Sequence, residues 1–389
     1  MGCTAPNAAA TQAPSLAPTP LPTTVPTATS AATAPGAFPS LPPRDDLASR
    51  LRPLTVNWRP PAPTLVFASP GSSAEATLLA LPIASSSTPV RLASVTSGVW
   101  QIRPDGSALA LSFATSTDSA RIATVDLRSG STRWVSTDEP GVRQVTPVWS
   151  ADGQAIYYSA SRTSASSLTD LGIFRIGADG SANARVHGPD GNGAELLGLT
   201  PDGAGLRWSR IRAGGSLDVL DLATGDDRQA QPNEAASEAS WRAARPRALV
   251  VTGICCAGPV GGNGTLWLWD DVAGTSQMLL GPKSDPPVAA VAASWDPAGS
   301  RIVAVVYDRS SGFGTRSSLV TIDAAGGDRK AVAGTEGASV PLWTPAGIVF
   351  LRATSQGGTE IMLVSPAGGT TQTLYTDARP IGRLALINP

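Results

Sequence analysis

Few residues in this chain could do chemistry unaided. The 389 residues contain one histidine, His187, and three cysteines, Cys3, Cys255 and Cys256. A zinc site of the usual Cys and His type takes about four converging ligands, and an adjacent cysteine pair nearly exhausts that supply. Nucleophilic catalysis of the Ser-His-Asp or Cys-His kind would have to run through His187. That residue stands in Ala184-Arg185-Val186-His187-Gly188-Pro189-Asp190-Gly191, a turn-like stretch that predicts a solvated loop histidine. Cys255-Cys256 follows the predicted strand Arg247-Ala248-Leu249-Val250-Val251. In an exported protein the pair could close a vicinal disulfide, stay as buried free thiols, or serve metal or redox chemistry, and all three readings stay open. No catalytic residue, metal site or cofactor site is assigned.

Charged residues near predicted strand ends supply the remaining candidates. Arg162, Arg212, Arg309 and Arg352 could together collar an opening and hold an acidic group, against the plainer reading of salt-bridged or solvated arginines. With Cys255, Cys256 and Asp308 they make up the predicted ligand face. Asp118, Asp170 and Asp308 project from separate loops. They carry the alternative reading, a carbohydrate- or peptide-processing enzyme, because glycoside hydrolysis uses two carboxylates roughly 5 to 9 Å apart. Sequence spacing does not supply that distance.

Composition narrows the classes. Asp, Glu, Lys and Arg make up 15% of residues and the formal net charge is -1, so the clustered basic charge of a nucleic-acid binder is missing. Forty Gly and 34 Pro cut the chain into short pieces, which disfavours a helix-rich enzyme. No apolar run reaches the roughly 18 residues that span a bilayer. Residues 1–43 hold ten Pro and no Asp, Glu, Lys or Arg, amid Ala, Thr and Ser. Such a segment buries too little to offset its ordering entropy and reads as a disordered tether.

The remaining chain, 52–389, repeats at intervals of 42 to 54 residues, each unit opening with an apolar anchor and a tight turn. The anchors are Trp58, Ile102, Trp149, Leu199, Trp241, Trp295 and Trp343, as in Trp149-Ser150-Ala151-Asp152-Gly153 and Leu199-Thr200-Pro201-Asp202-Gly203. Pro pre-sets φ at such a turn and Gly accepts positive φ. Second strands such as Arg301-Ile302-Val303-Ala304-Val305-Val306-Tyr307 and third strands such as Leu319-Val320-Thr321-Ile322-Asp323 follow, and each third strand meets another glycine turn. Four short antiparallel strands per unit, seven times over, predict a seven-bladed β-propeller, because stacking around an axis buries both apolar faces of every blade. Once-per-unit tryptophans predict packing between blades rather than a ligand platform. The terminal run Ile381–Ile387 is expected to pair with the first blade near Leu54–Trp58 and lock the chain ends together.

These units resemble the TolB-like (WD40-like) propeller repeat, with its Trp-Ser-Pro-Asp-Gly turn and Ile-Ala-Phe-like strand. Trp149-Ser150-Ala151-Asp152-Gly153 with Ala155-Ile156-Tyr157 matches best, with Ala151 in place of Pro. Trp295-Asp296-Pro297-Ala298-Gly299 and Trp343-Thr344-Pro345-Ala346-Gly347 depart by carrying Ala at the turn Asp. The resemblance implies docking or scaffolding at the periplasmic face or cell surface. It extends to peptidases and polysaccharide-handling proteins, but the peptidases' additional α/β domain and Gly-x-Ser-x-Gly elbow are not found. Gly2-Cys3 before the uncharged stretch resembles the start of a mature bacterial lipoprotein, which implies a lipid on Cys3. Residues completing the lipobox are missing, and no charged-then-apolar leader precedes Cys3. A myristoylation reading of Gly2 is weakened by Pro6. The expectation is an exported monomer, envelope-attached or extracellular. It meets a protein or surface glycan, touches the membrane only through the lipid anchor, and binds no nucleic acid.

Overall fold

A computed structural model describes Leu47 and residues 51–387, apart from 62, 72–74, 84–87, 97–98, 165–166, 192, 211–215, 230–235, 242–246, 253–263 and 309–316. The chain divides into two units, Met1–Leu41 and Pro42–Pro389. Only the second is described, so the expected tether and Cys3 lie outside the described residues.

The second unit is all β, in six sheets. The first sheet contains β1 (Leu51–Pro53), β2 (Thr64–Pro70), β3 (Glu75–Pro82), β4 (Val90–Thr96) and the last strand, β29 (Leu384–Ile387), in the order β1-β4-β3-β2-β29. The second sheet takes β5 (Trp100–Ile102), β6 (Ala108–Ala114), β7 (Ala120–Asp126), β8 (Thr132–Trp134), β9 (Val142–Trp149), β10 (Ala155–Ser164), β11 (Ser167–Gly177) and β12 (Ala184–His187). Four antiparallel four-stranded sheets follow in chain order. They are β13 (Ala194–Leu199) to β16 (Asp227–Gln229), through β14 (Gly205–Arg210) and β15 (Ser216–Asp221), and β17 (Ala236–Trp241) to β20 (Thr275–Leu280), through β18 (Arg247–Thr252) and β19 (Thr265–Asp270). After them come β21 (Val288–Trp295), β22 (Arg301–Asp308), β23 (Ser317–Asp323) and β24 (Lys330–Val332), and then β25 (Ala338–Thr344), β26 (Gly347–Ala353), β27 (Thr359–Val364) and β28 (Gln372–Asp377).

This corrects the expected seven separate four-stranded blades. One sheet has five strands and another eight, the latter fused by a parallel bridge between β7 and β9 at Ala120 and Arg143. Turn phase marks where each group begins, but it carries no information on hydrogen bonds between neighbouring groups. Trp58, the first expected anchor, ends no such opening strand; its N–H donates to the Leu127 carbonyl at 3.2 Å. The opening strand of the first sheet comes instead from the carboxyl end, where β29 pairs with β2 from Thr64↔Ile387 to Phe67↔Leu384. The chain ends therefore meet six residues beyond the predicted Trp58 partner. Pairing β29 onto β2 covers what would otherwise be a free sheet edge.

The second strands are buried on both faces, so they read as unbroken apolar runs. In β22, Ile302, Ala304 and Val306 pack with Leu249, Leu266 and Leu280 of the preceding sheet. Val303 and Val305 pack with Ile348 and Phe350 of the following one. Trp58, Trp149, Trp295 and Trp343 are all buried in such interfaces. Side chains of opening strands also reach one another. Gln101 Oε1 accepts the Trp149 N–H at 2.6 Å, Thr146 Oγ1 the Leu196 N–H at 3.1 Å, and Ser294 Oγ the Trp343 N–H at 3.3 Å. These opening strands form the inner side of a propeller arrangement, in which β5 meets β9, β9 meets β13, β17 meets β21 and β21 meets β25. Their turns follow the predicted chemistry: Asp152 Oδ1 accepts the Gln154 N–H at 2.9 Å and the Ser150 hydroxyl at 2.6 Å, beside Gly153 at φ 66°.

Candidate functional site

Of the sequence-predicted ligand face, only the side chains of Arg162 and Arg352 fall among the described residues. Arg162, exposed near the tip of the β10–β11 hairpin, pairs with Glu139. Arg352 lies opposite Glu360 in register and donates to its Oε2 through Nε at 3.0 Å and Nη2 at 2.8 Å. Asp308 ends β22 opposite Val288; its side chain, with Arg212, Cys255, Cys256 and Arg309, lies outside the described residues. The acids of the enzyme reading differ sharply in setting. Asp118 is exposed in the β6–β7 connection. Asp170 is buried, its carboxylate accepting the backbone N–H groups of Gly172 and Asp190, both at 2.9 Å.

Side chains do converge on the outward end of β14. Alternation along this strand puts Leu206, Trp208 and Arg210 on one face. Each nitrogen of the Arg210 guanidinium holds a different aspartate: Nε to Asp190 at 2.7 Å, Nη1 to Asp218 at 3.0 Å and Nη2 to Asp227 at 2.8 Å. Asp218 is fully buried. Trp208 lies under the guanidinium, 4.9 Å from ring centroid to Cζ, and its Nε1 donates to Asp227 at 3.1 Å. Burial alone would lower the pKa of Arg210; the hydrogen bond to Asp190 and the charges of Asp218, Asp227 and Asp190 outweigh it and hold the pKa above the ordinary arginine range. His187 belongs to this cluster. It ends β12 rather than sitting in a solvated loop, half-buried with its ring 5.3 Å from that of Trp208. The arginine occupies the centre of the three acids, where a cation would otherwise sit. Among the described residues no group of three or more His, Cys, Asp or Glu is arranged to hold a metal.

The opposite face of β14 carries Arg207, and here the inner wall brings together residues remote in sequence. Arg207 is paired in register with Gly198 of the inner strand β13. A Cβ at Gly198 would lie 2.7 Å from Arg207 Nη2, and its φ of 138° also favours glycine, so the missing side chain is what lets the guanidinium cross that strand. Arg383, immediately before β29, donates from Nη1 to the Trp100 carbonyl at 3.3 Å and stacks 5.6 Å from the Trp100 ring. Burial first, then the positive charge of Arg383, pushes the Arg207 guanidinium down to about 10. Burial also lowers Arg383, while the Glu195 carboxylate opposes that shift. Arg383, Glu195 and Val99 are equivalent by register: each stands just beyond the position opposite Phe67, Trp208 and Leu111. All three keep exposed surface, including Val99 at 42%.

The sequence candidate Arg212 lies two residues beyond Arg210, and Asp218 reads in sequence as an ordinary strand residue. Its signal is a carboxylate in the middle of Leu217-Asp218-Val219-Leu220, where a buried acid demands a partner.

No protein-family model matches the chain, and no curated protein does. Solved structures do. A puromycin hydrolase is similar over 83% of this chain and 53% of its own, at 16% identity and TM-score 0.59. An oligogalacturonate lyase in complex with manganese is similar over 82% of this chain and 85% of its own, at 14% identity and TM-score 0.52. The fold is a β-propeller. TolB from Acinetobacter baumannii also matches, over 70% of this chain and 64% of its own at 18% identity, but at TM-score 0.43 that propeller overlays too loosely to argue from. This propeller chain spans between half and two thirds of the puromycin hydrolase and TolB chains. At such identities the likeness shows fold alone.

Proposed function

We propose that this β-propeller is a non-catalytic binding or scaffolding module of the cell envelope, which recognises a protein or other ligand through its loop ends. One observation carries the reading. The densest described group of acids, Asp190, Asp218 and Asp227, is bound nitrogen by nitrogen to Arg210. Acid-base catalysis needs a carboxyl free to exchange its proton with substrate near neutral pH. Carboxylates whose oxygens are engaged by a guanidinium suit fixed architecture. Asp170, tied to two backbone N–H groups, is placed the same way. The surface available for recognition is then the loop end, where the long β10–β11 hairpin carries Arg162 outward.

The test uses the full chain with its native amino end, expressed in a bacterial host and fractionated. Cross-linking from the hairpin at Thr169→Cys is expected to trap one envelope partner reproducibly, and purified protein is expected to leave peptide and acidic-oligosaccharide panels uncleaved. Turnover of either panel that disappears with Asp118→Asn or Asp308→Asn would replace this reading with the enzyme one.

A further inference from the structure

The segment that leads into the propeller lies across two sheets, a feature that the loop-end reading leaves unused. β1 is an end strand of the first sheet and pairs with β4 from Leu51↔Val95 to Pro53↔Ala93. The Leu54 N–H then donates to the Leu92 carbonyl at 2.9 Å, and the Thr55 hydroxyl to the Arg91 carbonyl at 2.6 Å. From there the segment passes to the second sheet. The N–H groups of Asn57 and Trp58 donate to the carbonyls of Arg128 at 2.9 Å and Leu127 at 3.2 Å, in the β7–β8 turn. A Cβ at Gly130 of that turn would lie 2.7 Å from Val56, and one at Gly106 of the β5–β6 turn would lie 2.7 Å from Pro60 and 3.5 Å from Ile387 of β29. Leu47, Leu51 and Trp58 are buried in one core with Leu92 of the first sheet and Leu109 and Phe113 of the second.

We propose that residues 47–61 are a releasable strap, which takes up tension arriving from the amino end and yields before the ring does. Chain order fixes the sequence of events. A pull arriving at Leu47 must detach β1 and unseat Trp58 before it reaches Thr64, where β2 begins. There it meets a strand held on both sides. β2 pairs with β3 from Thr64↔Pro82 to Pro70↔Ala76 and with β29 from Thr64↔Ile387 to Phe67↔Leu384, whereas β1 pairs over Leu51–Pro53 alone, at a sheet edge. Edge elements with few backbone bonds open at lower free energy than the body of a sheet. The strap runs into Arg59-Pro60-Pro61-Ala62-Pro63, and proline fixes its own φ and biases the residue before it toward extended backbone, so this link already favours the form of a stretched chain. β2 and β29 then keep the ring closed while the strap is free. The inference rests on the envelope reading only for the source of the pull, a tether fixed at its far end.

Single-molecule pulling of the full chain decides the matter, with one handle on an amino-terminal tag and the other on a tag inserted in the β10–β11 hairpin. A first step of about 50 Å is expected, the length of about fifteen residues at roughly 3.4 Å each, with the sheets unfolding later at higher force. On relaxation the strap should reseat and the step recur in the next pull, because the ring has stayed closed. Leu51→Ala combined with Trp58→Ala should remove the first step or move it to lower force. The later unfolding force should stay as in the parent, because the strap is already free when the sheets unfold. The proposal is overturned by a single step in which strap and sheets unfold together, by a first step that does not recur after relaxation, or by one that keeps its force in the double variant. Should the double variant fold poorly, Thr55→Val, which removes one exposed hydrogen bond of the strap, takes its place, and a first step at undiminished force overturns the proposal. Failure of the envelope reading shows separately, in fractionation, and alters none of these outcomes.

Discussion

One strand, β14, builds two opposite electrostatic environments. On one face Arg210 meets three aspartates and a tryptophan, and every nitrogen of the guanidinium has its own acid. On the other, Arg207 lies over a glycine, and burial first, then the positive charge of Arg383, lowers its pKa to about 10. The first arrangement satisfies buried charge and holds strands and loop together; the second packs a guanidinium against a strand at a position without a side chain. Residue type alone therefore says little about role. What separates the two arginines is the setting that the fold delivers to each, three acids around one and a glycine beneath the other.

That contrast can be broken most forcefully at Arg210. Arg210→Met strips the counter-charge from a fully buried Asp218, and removal of one partner of a buried ion pair costs about 3–5 kcal/mol. Urea unfolding should show the loss as a lower midpoint with an unchanged slope. Asp218→Asn is expected to cost less, about 1.5–3 kcal/mol, because Asp190 and Asp227 still hold the guanidinium. Gly198→Ala should cost about 1–3 kcal/mol through its unfavourable φ, read by thermal denaturation. Arg383→Met exchanges a hydrogen bond to Trp100 for relief from Arg207, so its effect should stay within about 1 kcal/mol.

The smallest effect is one of pH at the turns, away from both arginine sites. A hydrogen bond from the Ser150 hydroxyl, first, and the Gln154 N–H hold Asp152 below the ordinary carboxylate range. The stabilisation is full above the unfolded value of about 3.9 and is lost as pH falls through the lower folded value. Asp152→Asn should therefore flatten the acid limb of a stability-against-pH curve and leave the neutral plateau's pH dependence unaltered.

Much of the architecture was legible because local chemistry repeats. The turn at Ser150–Gly153 needs its aspartate and glycine, and runs such as Ile302–Val306 are apolar without alternation because neighbouring sheets cover both faces. What escaped was decided between groups. A parallel bridge of one residue pair, Ala120 with Arg143, merges two expected blades, and no turn signal reports such a contact. Of the predicted arginine collar, Arg162 pairs with Glu139 and Arg352 with Glu360, while Arg212 and Arg309 lie outside the described residues. The surroundings of Arg210 and Arg207 depend instead on register: Trp208 opposite Asp218, and Arg207 opposite Gly198.

The contrast between the Arg210 cluster and Arg383 is tested most sharply by equilibrium urea unfolding of Arg210→Met and Arg383→Met beside the parent chain. A large loss is expected for the first, on the scale of a broken buried ion pair, and a change near zero for the second. Equal losses would contradict the account, because Arg383 would then be as structural as the arginine that holds three aspartates.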